Sequence, residues 1–383
     1  MNMLNENGFD HIHVMRYMGA KKALLPTLVP LLDDLAGPGG LIVDLMAGTH
    51  AVGYALKRRH PIIANDVQAY SHVIGLALIE NHGERISRAT AESEVLGADE
   101  ENKVDGNEQG NDGFRFFEET YADTYFSREQ CREIDSIRAG IAFLDKTYRQ
   151  ALYLTALIAA MCYAQSTPGH FAEFLPPGHP RVQPLRQLSI TESFLAKCDE
   201  LGSVVSTGFT NRALQMDYRT LLAEAGLPAA SSTASSLIAA AAATQFEAST
   251  PDLSQAKAVY VDPPYTAEQY SRFYHLLDTV VLYDHPSVTH RARYRADRFR
   301  SGFSSRAQVE SEFGHLFAAL SAACPQASVV VSYSSTGLLP IEKIASLARR
   351  HYSAVSIDAL PHQHSTQGKG ANSVTEYIAT IKS

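Results

Sequence analysis

An acid, two prolines and an aromatic stand together at Asp262-Pro263-Pro264-Tyr265, directly after the apolar run KAVYV. The prolines fix φ and stiffen the backbone where a strand must stop. Pro263 still offers a carbonyl, and Pro264 removes a competing N–H. The Asp262 carboxylate and the Pro263 carbonyl can then face one amino group as two acceptors. The exocyclic amine of an aromatic base is a poor nucleophile, because its lone pair is delocalised into the ring. Two acceptors holding its protons draw the nitrogen toward tetrahedral geometry and free that lone pair. Tyr265 supplies a flat face for the ring, and a base reached in this way has to leave its duplex stack. The four residues therefore read as a clamp for a planar amine.

A second constellation lies upstream. Asp44-Leu-Met-Ala47-Gly48-Thr-His50-Ala-Val-Gly53 follows an apolar run and opens a helical pattern. Such a loop lets a ligand approach the backbone at the carboxyl edge of a parallel sheet. Asn65-Asp66 closes the next apolar run, roughly 20 residues further on, where an acid accepts the hydroxyls of a ribose. By itself this pattern is shared with nicotinamide enzymes, but those give no reason for the Asp262–Tyr265 clamp.

These residues need strands to carry them. GGLIVD (39–44), HPIIAND (60–66), KAVYVDPP (257–264) and ASVVVSYSS (327–335) read as buried strands, and SVTEYIATIK (373–382) alternates as a strand near the sheet edge does. Strands alternating with helices predict an α/β fold with a mainly parallel sheet. Residues 84–113 are polar and acidic and read as a loop. From 127 to 165 the period is helical, with Ser127 and Gln130 spaced as a capping box. Residues 228–251 are low-complexity and carry no chemistry.

Composition bounds the function class. The chain has 383 residues, 45% of them hydrophobic, and a net charge of −8. That charge argues against a surface coated by nucleic acid, although a basic patch can sit on an acidic body. HRARYRADRFRSGFSSR (290–306) is such a patch, with six arginines against one acid. Cys131, Cys162, Cys198 and Cys324 form no CxxC pair, which predicts reduced thiols, a cytoplasmic protein and no structural zinc. Neither a signal-peptide pattern nor an apolar run of ~18 residues is visible.

Taken in order, these stretches resemble the N6-adenine DNA methyltransferases of the Dam type, particularly the modification enzymes of type IIS restriction systems. RYMGAK (16–21) followed by ALLPTLVPLL is similar to their N-terminal cofactor motif, Asp44 to Gly53 to their S-adenosylmethionine loop, and NRALQMDYRTL (211–221) to the strand end whose acid reads the cofactor adenine. DPPYTAEQYSRFYHLL resembles their catalytic motif with a type IIS-like continuation, and SYSSTGLL (332–339) and VTEYIATI also match. The resemblance implies a doubly wound, Rossmann-like methyltransferase sheet formed by 1–83 and 207–383. It implies a mainly helical target-recognition insertion over 84–206, in which TPGHFAEFLPPGHPR (167–181) is a candidate loop near DNA.

The resemblance assigns S-adenosylmethionine to Tyr17, Gly19, Lys21, Asp44, Ala47, Gly48, Asp66, Asp217 and Tyr218. Catalysis falls to Asp262, Pro263, Pro264 and Tyr265, and no metal is called for. Arg291, Arg293, Arg295, Arg298 and Arg300 would meet the nucleic acid. The implied substrate is double-stranded DNA, with a restriction nuclease or other defence subunits as partners and no membrane. Structured RNA, or cytosine N4, fits the same clamp. Two positions depart from the family loop: His50 stands where glycine is usual, and Met46 where an aromatic is. A side chain at 50 that crowded the cofactor would leave a nucleic-acid-binding subunit without catalysis.

Overall fold

The computed structural model describes residue 14 and residues 21–97, 114–202, 204, 207–225, 251–363 and 373–383. Tyr17, Gly19 and the low-complexity stretch 228–250 lie outside the described residues.

A seven-stranded sheet organises the molecule. Its strands are β1 (Leu41–Asp44), β2 (Ile62–Asp66), β3 (Arg212–Gln215), β4 (Ala256–Val261), β5 (Ser328–Ser334), β6 (Ala354–Gln363) and β7 (Ser373–Lys382). The spatial order is β3-β2-β1-β4-β5-β7-β6. The first five pair in parallel, and β7 runs antiparallel to both β5 and β6. The strand order reverses between β1 and β4, the place where open α/β sheets bind ligands outside their carboxyl ends. β1 and β4 are short apolar runs buried on both faces, which is why they read from sequence as unbroken hydrophobic stretches.

The reversal of β7 has a geometric consequence. It pairs Glu376 with Ser334, at the carboxyl end of β5. An antiparallel strand thus delivers its early residues to the edge where the parallel strands deliver their last. The strand expected at 373–382 is present, one place in from the edge. The edge itself is β6, which sequence reading did not anticipate. Its side chains between 354 and 360 are largely exposed, so no buried face marks it in the pattern.

Helices cover both faces. α1 (Leu25–Ala36) buries Leu25, Leu28, Val29, Leu32 and Ala36 at helical spacing and ends at Gly37, φ +65°. α2 (Ala51–Leu56) leaves the glycine loop, and α3 (Ala69–Gly75) follows β2 and runs on through Leu76–Glu80. The middle of the chain is helical as expected. α4 (Arg128–Ala142) and α5 (Thr147–Ala164) fill most of the expected helical span, and Ser127 and Gln130 form a reciprocal capping box. α5 packs on α3 and its continuation, and the helical block shares one continuous apolar cluster with α1–α3. The loop expected over 84–113 is partly helical: Ser87 and Thr90 cap a helical stretch from Arg88 to Leu96 that buries Ala91 and Val95. Two small apolar side chains were enough, and the polar majority around them hid the signal. On the other face, α6 (Tyr218–Ala225), α7 (Val309–Ala323) and α8 (Ile341–Ala348) pack over β4 and β5 in a second apolar cluster.

Candidate active site

The carboxyl ends of β1, β2, β3 and β4 open into a cleft of about 340 Å³. Asp44, Ala47, Gly48, Asp66, Asp217 and Tyr218 line it, and so do Lys21, Asp262, Pro263, Pro264 and Tyr265. The glycine loop and the proline clamp, more than 200 residues apart in sequence, therefore share one cavity.

The glycine loop is built by backbone hydrogen bonds. Leu45 N–H donates to the Tyr260 carbonyl at 3.0 Å and Ala47 N–H to the Asn65 carbonyl at 2.9 Å. Gly48, at φ +54°, donates its N–H to Asp66 Oδ2 at 2.9 Å. Gln68 N–H reaches Asp66 Oδ1 at 2.9 Å. Each carboxylate oxygen keeps a second lone pair, and Asp66 lines the cleft. Asp44 differs. Its Oδ2 accepts a long bond of 3.3 Å from Gly53 N–H, while its Oδ1 is buried with no hydrogen-bond partner among the described residues. An orphaned buried carboxylate oxygen is open to a donor from a water or a ligand. Burial, with Asp262 and Asp66 nearby, pushes the Asp44 carboxyl up to about 7.

His50 explains its own departure from glycine. It sits at φ +60°, in the left-handed region, where a side chain costs about 1–2 kcal/mol. Its ring is absent from the cleft lining and turns inward, with Nε2 2.7 Å from the Ser71 carbonyl. Gly75 makes the room: a Cβ there would lie 2.7 Å from His50 Cε1 and 2.9 Å from Ala213 Cβ. Gly75→Ala is expected to lower the unfolding free energy by about 1–3 kcal/mol in a urea titration, with part recovered in a His50→Gly background. His50→Gly alone should leave cofactor affinity unchanged. Met46, the other departure, does line the cleft.

The clamp is held from three sides. Tyr265 accepts the Leu338 N–H on its carbonyl at 2.9 Å, and its ring meets Tyr333 edge-on with centroids 6.3 Å apart. Gly337 lets Tyr333 sit there, since a Cβ would fall 2.2 Å from Tyr333 Cε1. Lys21 Nζ lies 3.0 Å from Asp262 Oδ1 and 2.9 Å from Glu376 Oε1. Burial opposes the Lys21 charge, but the two carboxylates hold its ammonium above the usual lysine range. Burial also raises Asp262, against the pull of Lys21, to about 6. Asp262 Oδ1 is thus pinned by Lys21.

Several lining residues were not expected from sequence. Asn65 is buried and stitches three strand ends: its amide donates to the Leu45 and Met216 carbonyls at 3.1 and 3.0 Å, and its Oδ1 accepts Met216 N–H at 3.1 Å. A lone amide closing an apolar strand was the available signal. Glu312 accepts Tyr218 OH at 2.6 Å and pairs with Arg219 at 2.8 Å. Gln269 ties down the segment roofing the cleft, exchanging two bonds of 3.0 and 2.7 Å with the Ser301 backbone. Of the aromatics after the clamp, Phe273 and Tyr274 are core, while Tyr270 lines the cleft.

The arginine stretch divides. Arg300 lines the cleft and Arg291 lies exposed over the Phe174 ring at 5.2 Å. Arg298 lies over Tyr294 at 5.2 Å, and Arg293 donates to the Thr120 carbonyl. Arg295 is buried between Asp284 and Asp297, with contacts of 2.6 and 2.9 Å. Its charge is spent within the fold. In the loop 167–181, Phe171 is core and His170 packs on Phe273 with centroids 4.7 Å apart.

Comparison with known proteins bears on this geometry. The family described as D12 class N6 adenine-specific DNA methyltransferase matches residues 17–173 and 202–341. The chain is similar to Modification methylase LlaI of Lactococcus lactis subsp. lactis, 25% identical over 361 residues, covering 88% of this chain and 49% of that protein. It is similar to Type II methyltransferase M.FokI of Planomicrobium okeanokoites, 24% identical over 351 residues, covering 88% and 47%. Type II methyltransferase M2.HphI of Haemophilus parahaemolyticus is 25% identical over 344 residues, covering 86% of each chain. The chain spans about half the length of the first two relatives and most of the third.

Proposed function

The chain belongs to the D12 class of N6 adenine-specific DNA methyltransferases, and from that premise we propose that it methylates N6 of adenine in double-stranded DNA, using S-adenosylmethionine, as the modification arm of a restriction–modification or related defence system. One observation carries the reading: the amine clamp Asp262–Tyr265 and the acids Asp44, Asp66 and Asp217 line a single cleft.

The donor set suits that cofactor. Asp44 Oδ1 is a buried acceptor awaiting a cationic donor, as the amino group of a methionine moiety provides. Asp66 would take ribose hydroxyls, and Asp217, at the start of α6, would face the base. Five carboxylates line the cleft against three cations, which favours a ligand bearing an ammonium and a sulfonium. S-adenosylmethionine supplies a methyl group already activated on sulfur, so the protein is left with binding, orientation and electrostatics.

An adenine turned out of the duplex would stack on Tyr265 and place its amino protons on Asp262 Oδ2 and the Pro263 carbonyl. Held in this way by Asp262 and the Pro263 carbonyl, the nitrogen would have its lone pair free to take the methyl group that the sulfonium would supply, the C–S pair being left on sulfur. The proton that leaves the resulting cationic nitrogen goes to the Asp262 carboxylate and then to water. The helical block within 84–206 would read the target sequence. A restriction nuclease or other defence subunits are the partners this setting implies.

Arg300, Arg291 and Arg298 are the arginines this reading assigns to phosphates. Arg300→Ala should leave stability unchanged and lower the slope of log affinity against log salt by about 1 in a DNA-binding titration. Arg295→Ala should instead cost about 2 kcal/mol of unfolding free energy, its partly exposed acids limiting the loss.

The reading is tested by incubating the full chain with labelled S-adenosylmethionine and unmethylated duplex DNA, followed by nucleoside analysis. N6-methyladenine is the expected product. N4-methylcytosine, or label entering only structured RNA, would overturn it.

A further inference from the structure

Glu376 is an acid on the inward face of β7, between the buried Val374 and Ile378. Such a residue is costly unless it is paired. Its partner is Lys21, which the same carboxylate shares with Asp262. The two contacts of 2.9 and 3.0 Å to one nitrogen place the two carboxylates within about 6 Å of each other.

A lysine alone on Asp262 would be a poor arrangement for the proposed chemistry. It would neutralise the acceptor that must draw on an amine, take up its proton and sit near a sulfonium. We propose that Glu376 is a positioning residue for methyl transfer: by sharing the Lys21 ammonium it lets Lys21 fix the Asp262 carboxylate without cancelling its charge. Lys21 then pins Oδ1 and leaves Oδ2 for the amine, and the three groups together carry one negative charge. The idea rests on the functional reading given above, and it assigns to the last strand a part in the reaction that no cleft-lining residue reveals, since Glu376 does not itself line the cleft.

Asp262 is faced by Lys21 from the turn before α1, Glu376 from β7, Asp44 from β1, and Tyr260 and Tyr265 from its own segment. Both tyrosines are raised by burial, away from neutral pH. Asp44 titrates in the same range and has to be followed separately.

The test uses the full chain with carboxyl-labelled aspartate, in wild type, Glu376→Gln and Glu376→Asp, with Asp262→Asn and Asp44→Asn identifying the two signals by NMR. Removing a like charge within about 6 Å, at an effective dielectric near 20, should lower the Asp262 titration midpoint by about one to two units in Glu376→Gln. In the methyl-transfer assay the acid limb of the pH profile should move down with it. The plateau kcat should fall about tenfold, with KM for DNA and cofactor affinity unchanged. Glu376→Asp should restore most of both. An unmoved Asp262 midpoint would overturn the proposal, as would loss of kcat, cofactor affinity and thermal stability together with the acid limb in place. If the wild type transfers no methyl group to DNA adenine, the functional reading fails, while the titration still decides what Glu376 does to Asp262.

Discussion

The full chain carrying Asp262→Ala is expected to bind S-adenosylmethionine about as the wild type does and to methylate DNA about 10³-fold more slowly. The separation follows from where the carboxylate sits. Asp262 directly follows β4 with Oδ1 on Lys21, while the acids at the ends of β1 and β2 have their own supports in Gly53, Gly48 and Gln68. Removing Asp262 leaves Lys21 paired with Glu376, so no bare charge is buried and the fold survives. What disappears, on the proposed reading, is the acceptor for the amine and the base for its proton. Burial raises Asp262 to about 6, so the wild-type rate should fall about tenfold per unit as pH drops below that value, because the protonated acid neither accepts the amine nor its proton. Single-turnover transfer with calorimetric cofactor binding measures both halves. A loss of less than tenfold, or a parallel loss of cofactor binding, would remove Asp262 from the clamp.

The strands that carry the site were legible because they are buried on both faces and end in acids: LIVD, IIAND and AVYVD announce both a core position and a functional terminus. The Asp262–Tyr265 segment was legible as a special feature because two prolines after a strand have few uses, and the structure places it on the cleft. What sequence could not give was the third dimension of the edge. Glu376 reads as the polar partner in an alternating strand, and only the antiparallel pairing with β5 carries it to Lys21. His50 departs from the glycine that the loop pattern wants, and nothing local says where its side chain goes. Its ring is accommodated by Gly75, a residue inside a helix that no local motif marks. Arg295 looked identical to its neighbours in a basic run, and only the fold places Asp284 and Asp297 around it. Each miss is a contact between residues distant in sequence or a choice among like residues, neither of which periodicity encodes.

Asp44→Asn should raise the Kd for S-adenosylmethionine by about 10²-fold or more, the usual consequence of removing one side of a buried charged hydrogen bond. The residue is almost wholly buried, and its Oδ1 has no partner among the described residues. Burial first, then Asp262 and Asp66, raise its carboxyl to about 7. The sign of the pH dependence follows. In the unliganded protein the folded state holds this proton more tightly than the unfolded chain does. Its contribution to stability is complete below the ordinary aspartate value near 3.8 and is lost as pH rises through about 7. A cationic ligand reverses the balance, since it binds the ionised form. Wild-type affinity should therefore weaken about tenfold per unit below pH 7, and the thermal stabilisation given by the cofactor should be larger near pH 8 than near pH 6. The substituted amide cannot ionise, so the variant should lose both pH dependences along with the affinity. Calorimetry and thermal unfolding at the two pH values decide the matter. A variant that binds weakly but keeps the wild-type pH dependence would show that another group, not Asp44, receives the ligand's positive charge.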